Sequence, residues 1–291
     1  MTAPHDDRDL RGRHDGWLAI QALAERMEAA LAGLRDRRDP RRFFHATYLH
    51  TTRAVGAELA AGGFADPAWV ARWDVAFAGF YLDALASDLR GDPVPAPWAA
   101  AFAAADDRRR SLPPLRQVLL GMNAHINYDL PQALLAVISD AGFADPALLA
   151  RRSGDHCNID RVLCTLIDGG QPLPGTGRPG RGPRHALAAA AGRAASKRFL
   201  TEARGKVWAN ARVLAAARRQ GEAAYLARLA ELERLAAARV AHLTRPGPVL
   251  LRLAAGGFGV TLRPGHSLAP AAAGSAAPGA AAPVTAPETT R

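Results

Sequence analysis

Cysteine is scarce: Cys157 and Cys164 are the two in a chain of 291 residues. They fall seven positions apart, on one face of a predicted helix and two turns from each other. That separation is too long for an unstrained disulfide, so both are expected reduced and packed as small apolar side chains. Lysine is nearly missing as well, with Lys197 and Lys206 the two examples among 37 basic residues. The formal charge of +10 is therefore carried by arginine, interleaved with acids in stretches such as "RDRRDPRR" and "DDRRR". Aromatics make up 6% of the chain, and none forms a stacking platform beside the charge, so nucleic-acid binding is not expected. No apolar run reaches membrane-spanning length, and "MTAPHDDRDLRGRHDG" lacks an apolar signal region. A soluble, cytoplasmic protein without a membrane span is expected.

What the chain does have is apolar residues, 49% of the total, with alanine prominent among them. That composition favours closely packed helices over sheets. Two segments repeat each other: "GGFADPAWVARW" at 62–73 and "AGFADPALLARR" at 141–152. In each, a glycine (Gly63 or Gly142) can close a helix in the left-handed conformation. An aspartate (Asp66 or Asp145) then caps the next helix, with Pro67 or Pro146 at its first position. Both convergent turn chemistry and an internal duplication remain open. The fold class expected is all-α, a multi-helix bundle of stacked helical hairpins.

Apolar periodicity predicts helices over 17–36, 42–61, 67–90, 97–106, 113–139 and 146–168. Residues 1–16 read as a flexible N-terminus and 168–185 as a Gly/Pro-rich loop. Two long helices, 186–218 and 221–243, follow, joined at Gly221. The extension over 244–263 reads as a short helix or an irregular packed strand, and 264–291 as a low-complexity, disordered tail.

The polar residues inside the helices carry the chemistry. In "GMNAHINYDLPQAL", a stripe of Leu115, Leu119, Met122, Ile126 and Leu130 puts His125 and Asp129, four apart, at one edge and Asn123 at the other. Pro131 cannot donate to the carbonyl of Asn127, so the helix bends or restarts there. In "GDHCNIDRVLCTLID", His156 and Asp160 repeat the four-residue spacing. If the two helices lie side by side, His125, Asp129, His156 and Asp160 form a first shell for one divalent ion such as zinc, iron or manganese. The carboxylates could instead orient the imidazoles from behind. Tyr81 and Asn127 would position a small-molecule substrate. Asp74 shares a face with two aromatics, Phe77 and Tyr81, and needs a partner. Arg204, four residues before Trp208, would offer a clamp for a carboxylate or phosphate if its face closes over the hairpins.

With "GMNAHINYDL", "GGFADPAWVARWDVAFAGFYLDAL" and "ARGKVWANA" together, residues 17–243 resemble domain-of-unknown-function family 5995, found largely in actinobacteria. That resemblance implies an all-helical protein with an inward polar cluster and brings no established activity. A weaker likeness, of geometry alone, connects the two His-x-x-x-Asp pairs with helical zinc phospholipases C and S1/P1-type nucleases. The chain lacks their further histidines and their N-terminal tryptophan ligand. Three functions follow as expectations: a metal-dependent hydrolase, a helical binding or scaffold protein in which the cluster is structural, and a metal-free acid–base enzyme built on the His–Asp pairs.

Overall fold

A computed structural model describes residues 4–106, 112–168 and 183–263, except for the side chains of 4–10, 164–168, 183–201 and 254. The loop expected over 168–185 lies almost wholly outside the described residues. The tail at 264–291 and the side chain of Cys164 lie outside them altogether.

The described chain is all-α. In order it forms α1 (Pro4–Asp36), α2 (Arg42–Ala60), α3 (Pro67–Arg90), α4 (Ala96–Asp106) and α5 (Pro114–Ala124). A π-helical turn (His125–Asp129) then leads directly into α6 (Leu130–Val137). α7 (Asp140–Phe143), α8 (Pro146–Asp168), α9 (Pro183–Gln220), α10 (Glu222–Thr244) and α11 (Val249–Gly256) complete the described helices. α1 lies along α2 and α3, α10 packs on α4, α5 and α9, and α8 sits between α2 and α9.

Helix α1 starts well before the predicted boundary at residue 17. Gly16 faces the start of α3 there, where a Cβ would stand 3.1 Å from Ala71 Cβ, and Gly12 faces Ala68 one turn earlier. Small residues one turn apart let the helix approach α3 closely, and packing rather than apolar periodicity holds this stretch.

The two repeated turns share their cap and differ in the rest. Trp69 N donates to Asp66 Oδ1 at 2.9 Å, while Ala147 N and Leu148 N donate to Asp145 Oδ1 at 2.9 and 3.0 Å. The helix-closing left-handed residue is Gly62 (φ +80°) rather than Gly63, and Gly142 sits inside α7 without positive φ. The shared feature is thus the Asp-Pro cap, and no internal duplication follows from it.

Helix α8 holds the first turn in place. Asp155, buried, accepts from Ala65 N at 2.7 Å and Asp66 N at 3.0 Å, and Asn158 Nδ2 donates to Gly63 O at 3.0 Å. At the other end, Arg218 of α9 donates to the carbonyls of Leu135 and Ile138, satisfying the end of α6.

The central rod, α5 through α6, departs from the predicted single stripe. Leu115 is exposed, whereas Val118, Leu120, Ala124, Ala133 and Leu134 are buried alongside the polar residues. From residue 117 to 135 the rod is enclosed, with Met122 and Ile126 its half-buried positions. Asn123, His125, Asn127 and Asp129 are therefore all interior. Pro131 accounts for the π turn: it removes the donor that the Asn127 carbonyl would take, and Leu130 N donates five residues back to His125 O.

After α11 a non-helical stretch, 257–263, packs back on the core through two asparagines. Asn127 Nδ2 donates to Phe258 O at 3.2 Å and Asn127 Oδ1 accepts from Val260 N at 3.0 Å. Asn210 repeats the arrangement, donating to Val260 O at 3.0 Å and accepting from Leu262 N at 2.8 Å.

Candidate functional site

A cavity of about 120 Å³ lies where α2, α3, the π turn, α8 and α9 meet. Its wall is mainly apolar and aromatic, and its polar side chains are Tyr48, Asp74, His125, His156, Asp160 and Arg204, with Thr47 and Thr51. Each helix supplies its share by ordinary periodicity. Phe44, Tyr48 and Thr51 lie three or four apart on α2, and Trp73 and Phe77 lie four apart on α3 with Asp74 between them.

His125 is fixed from one side. Its Nδ1 lies 2.8 Å from Asp129 Oδ2, which also accepts from Trp98 Nε1 at 2.9 Å. Its ring is stacked on Phe77, with centroids 3.6 Å apart. Burial lowers the proton affinity of the imidazole well below its ordinary value. Burial likewise raises that of the Asp129 carboxyl well above normal, and the Trp98 bond pulls it part of the way back. Burial thus disfavours a charge on either partner, and with Nδ1 turned to Asp129 the ring's other nitrogen, Nε2, is the one left open. That nitrogen is buried and has no hydrogen-bond partner.

Asp74 is the second polar group left open. It is 7% exposed, its Oδ2 has no partner, and burial pushes its pKa up to about 7. The buried Tyr48 hydroxyl is also unpartnered, and burial, followed by the nearby carboxyls of Asp74 and Asp129, holds its proton on well past the usual phenol range.

His156 and Asp160 reach the same cavity from α8 but are engaged differently. Trp208 Nε1 donates to His156 Nδ1 at 2.9 Å, and Arg204 pairs with Asp160. The four-residue spacing on α8 therefore meets the four-residue spacing on α9 as an antiparallel pair of rungs. Burial, and then the Arg204 charge, lowers the His156 pKa to about 3. Arg204 also donates to Cys157 Sγ at 2.7 Å, and Cys157 is exposed rather than packed as expected.

His125, His156 and Asp160 thus line one cavity, whereas Asp129 stands behind His125, paired with it and with Trp98. Among the described residues no three His, Cys, Asp or Glu side chains group as metal ligands. Tyr81 lies outside the cavity, its hydroxyl 2.9 Å from His45 Nδ1, while His45 Nε2 lies 2.7 Å from Met27 O. Asn127 is committed to residues 258 and 260, and Asn123 donates to Leu119 O at 2.9 Å and accepts from Asn127 at 3.3 Å. These asparagines hold the rod and the C-terminal stretch together.

Sequence reasoning passed over Tyr48, Trp98, His45 and Asp155. Tyr48 falls four residues after Phe44 within the predicted 42–61 helix, and its hydroxyl is the available signal. The partners of Trp98 and Asp155 are 31 and 90 residues away, which no local pattern marks.

The sequence profile of a family of unknown function (DUF5995) matches residues 20–246. The chain belongs to that family. The DUF5995 match covers all the cavity-lining residues and stops inside the segment leading to α11. Neither the curated proteins nor the solved structures contain a match to the chain. Among the described residues no helix is long and apolar enough to cross a membrane.

Proposed function

We propose that this protein binds a small, largely apolar molecule in the central cavity and moves a proton on it, with Asp74 as base and the Nε2 hydrogen of His125 as donor. One observation carries the reading: Asp74 Oδ2 and His125 Nε2 are buried, belong to side chains lining one cavity, and lack hydrogen-bond partners. A buried polar atom left unpaired costs about 1–3 kcal/mol, a cost that a ligand supplying the partner would remove. A purely structural cluster would close on itself, as Asn127 and Asn210 do.

The chemistry fits a donor and an acceptor held in different protonation states. Burial alone brings Asp74 to about 7, and a proton shared between Asp129 and His125 Nδ1 would leave the Nε2 hydrogen free for the ligand. The volume favours a ligand about the size of one small ring, since an apolar cavity of roughly 150 Å³ accommodates benzene. Nothing in this reading needs a metal ion. A metal-dependent version would require His156 and Asp160 to leave Trp208 and Arg204.

The test is a thermal-shift screen of ring-sized apolar compounds against metal-analysed protein and the Ala203→Leu variant, which fills the cavity wall. The reading expects stabilising compounds whose effect persists after chelation and vanishes in Ala203→Leu. No stabilising compound, or one stoichiometric transition metal whose removal abolishes binding, contradicts it.

A further inference from the structure

The cavity is acidic inside a strongly basic chain. Its lining sets two carboxyl groups, Asp74 and Asp160, against one guanidinium, Arg204, and that guanidinium is paired with Asp160. The two imidazoles bring no positive charge, because burial keeps both His125 and His156 neutral near pH 7. Asp74 therefore has no counter-charge, and its Oδ2 has no hydrogen bond. Beside it the wall is aromatic, made by Tyr48, Trp73 and Phe77. The faces of aromatic rings attract a cation, and the attraction strengthens when water is excluded.

We infer that the ligand carries a cationic amine on a ring-sized apolar body, its ammonium group pairing with Asp74 and lying against the Tyr48, Trp73 and Phe77 rings. This rests on the proposed use of the cavity as a ligand site and adds the ligand's chemical class. Burial holds a proton on Asp74 up to about pH 7, and the ammonium group takes that proton's place. A carboxylate ligand would face Asp74 with no unpaired cation to hold it. A ketone could pair with Asp74 only in its protonated form, and the aromatic wall would add little.

Calorimetric titration of the full chain at about pH 8, where Asp74 is mainly ionised, separates these classes. The probes are cyclopentylammonium, cyclopentanone and cyclopentanecarboxylate, alike in size. The ammonium is expected to bind about tenfold or more tighter than the ketone, with no detectable carboxylate binding. Asp74→Asn should erase that preference while keeping ketone binding. Ketone or carboxylate binding as tightly as the ammonium, or an ammonium preference that persists in folded Asp74→Asn, overturns the inference and leaves the cavity as a ligand site. Binding by none of the three overturns both. If Asp74→Asn fails to fold, the ranking in the natural chain decides alone.

Discussion

Asp129 Oδ2 lies 2.8 Å from His125 Nδ1, which leaves Nε2 as the imidazole's open nitrogen. The pair sits on a π-helical turn that a proline two residues further on helps to create. Backbone irregularity, buried charge chemistry and an open polar atom thus coincide in five residues.

The Trp98 indole is the other support of Asp129, so Trp98→Phe should destabilise the fold by about 1–3 kcal/mol in urea unfolding. Part of that cost is packing, because Trp98 also sits among Phe44, Tyr81 and Phe102. Unchanged unfolding would show that the indole bond does not hold the carboxyl.

The helical architecture and the inward polar cluster were legible because they are local. The Asp-Pro caps, the helical periodicity and the interruption at Pro131 each declare themselves within a few residues. The pairing of the cluster was not. His156 and Asp160 look like partners of His125 and Asp129 because all four share one spacing, yet Trp208 and Arg204, with the same spacing on α9, take them first. Asn127 resembles a site residue for the same reason: its partners, the backbones of Phe258 and Val260, lie more than a hundred positions away.

Asp74 makes stability depend on pH with an unusual sign. Unfolded, its carboxyl releases its proton near 3.8; folded, near 7. Between those values the folded state holds more protons, so this contribution to stability falls as pH rises from about 4 to 7, by roughly 4 kcal/mol in full. Asp74→Asn should gain stability over the natural chain progressively across that window, measured by urea unfolding at several pH values. A constant difference would mean that Asp74 titrates normally.

His156 acts in the opposite direction. Its folded pKa of about 3 lies below the ordinary 6.5, so the unfolded state binds the extra proton and stability falls as pH drops through that interval. His156→Gln should flatten the acid limb of the stability curve. An unaltered limb in that variant would assign acid sensitivity elsewhere.

Asn127→Leu and Asn210→Leu should each loosen residues 257–263, because each asparagine both donates to and accepts from that stretch. Each is expected to cost about 1–3 kcal/mol and to speed proteolysis after α11. Equal cleavage rates in all three proteins would mean that the asparagines do not anchor the segment.

The most direct measurement follows two atoms by NMR, the Asp74 carboxyl carbon and His125 Nε2, during addition of cyclopentanone or cyclopentylammonium to chelator-treated protein. Both resonances are predicted to move together with saturation, and neither is to move in Ala203→Leu. Resonances unmoved by both compounds in the natural chain, or moved equally in the filled variant, would contradict a ligand site between Asp74 and His125.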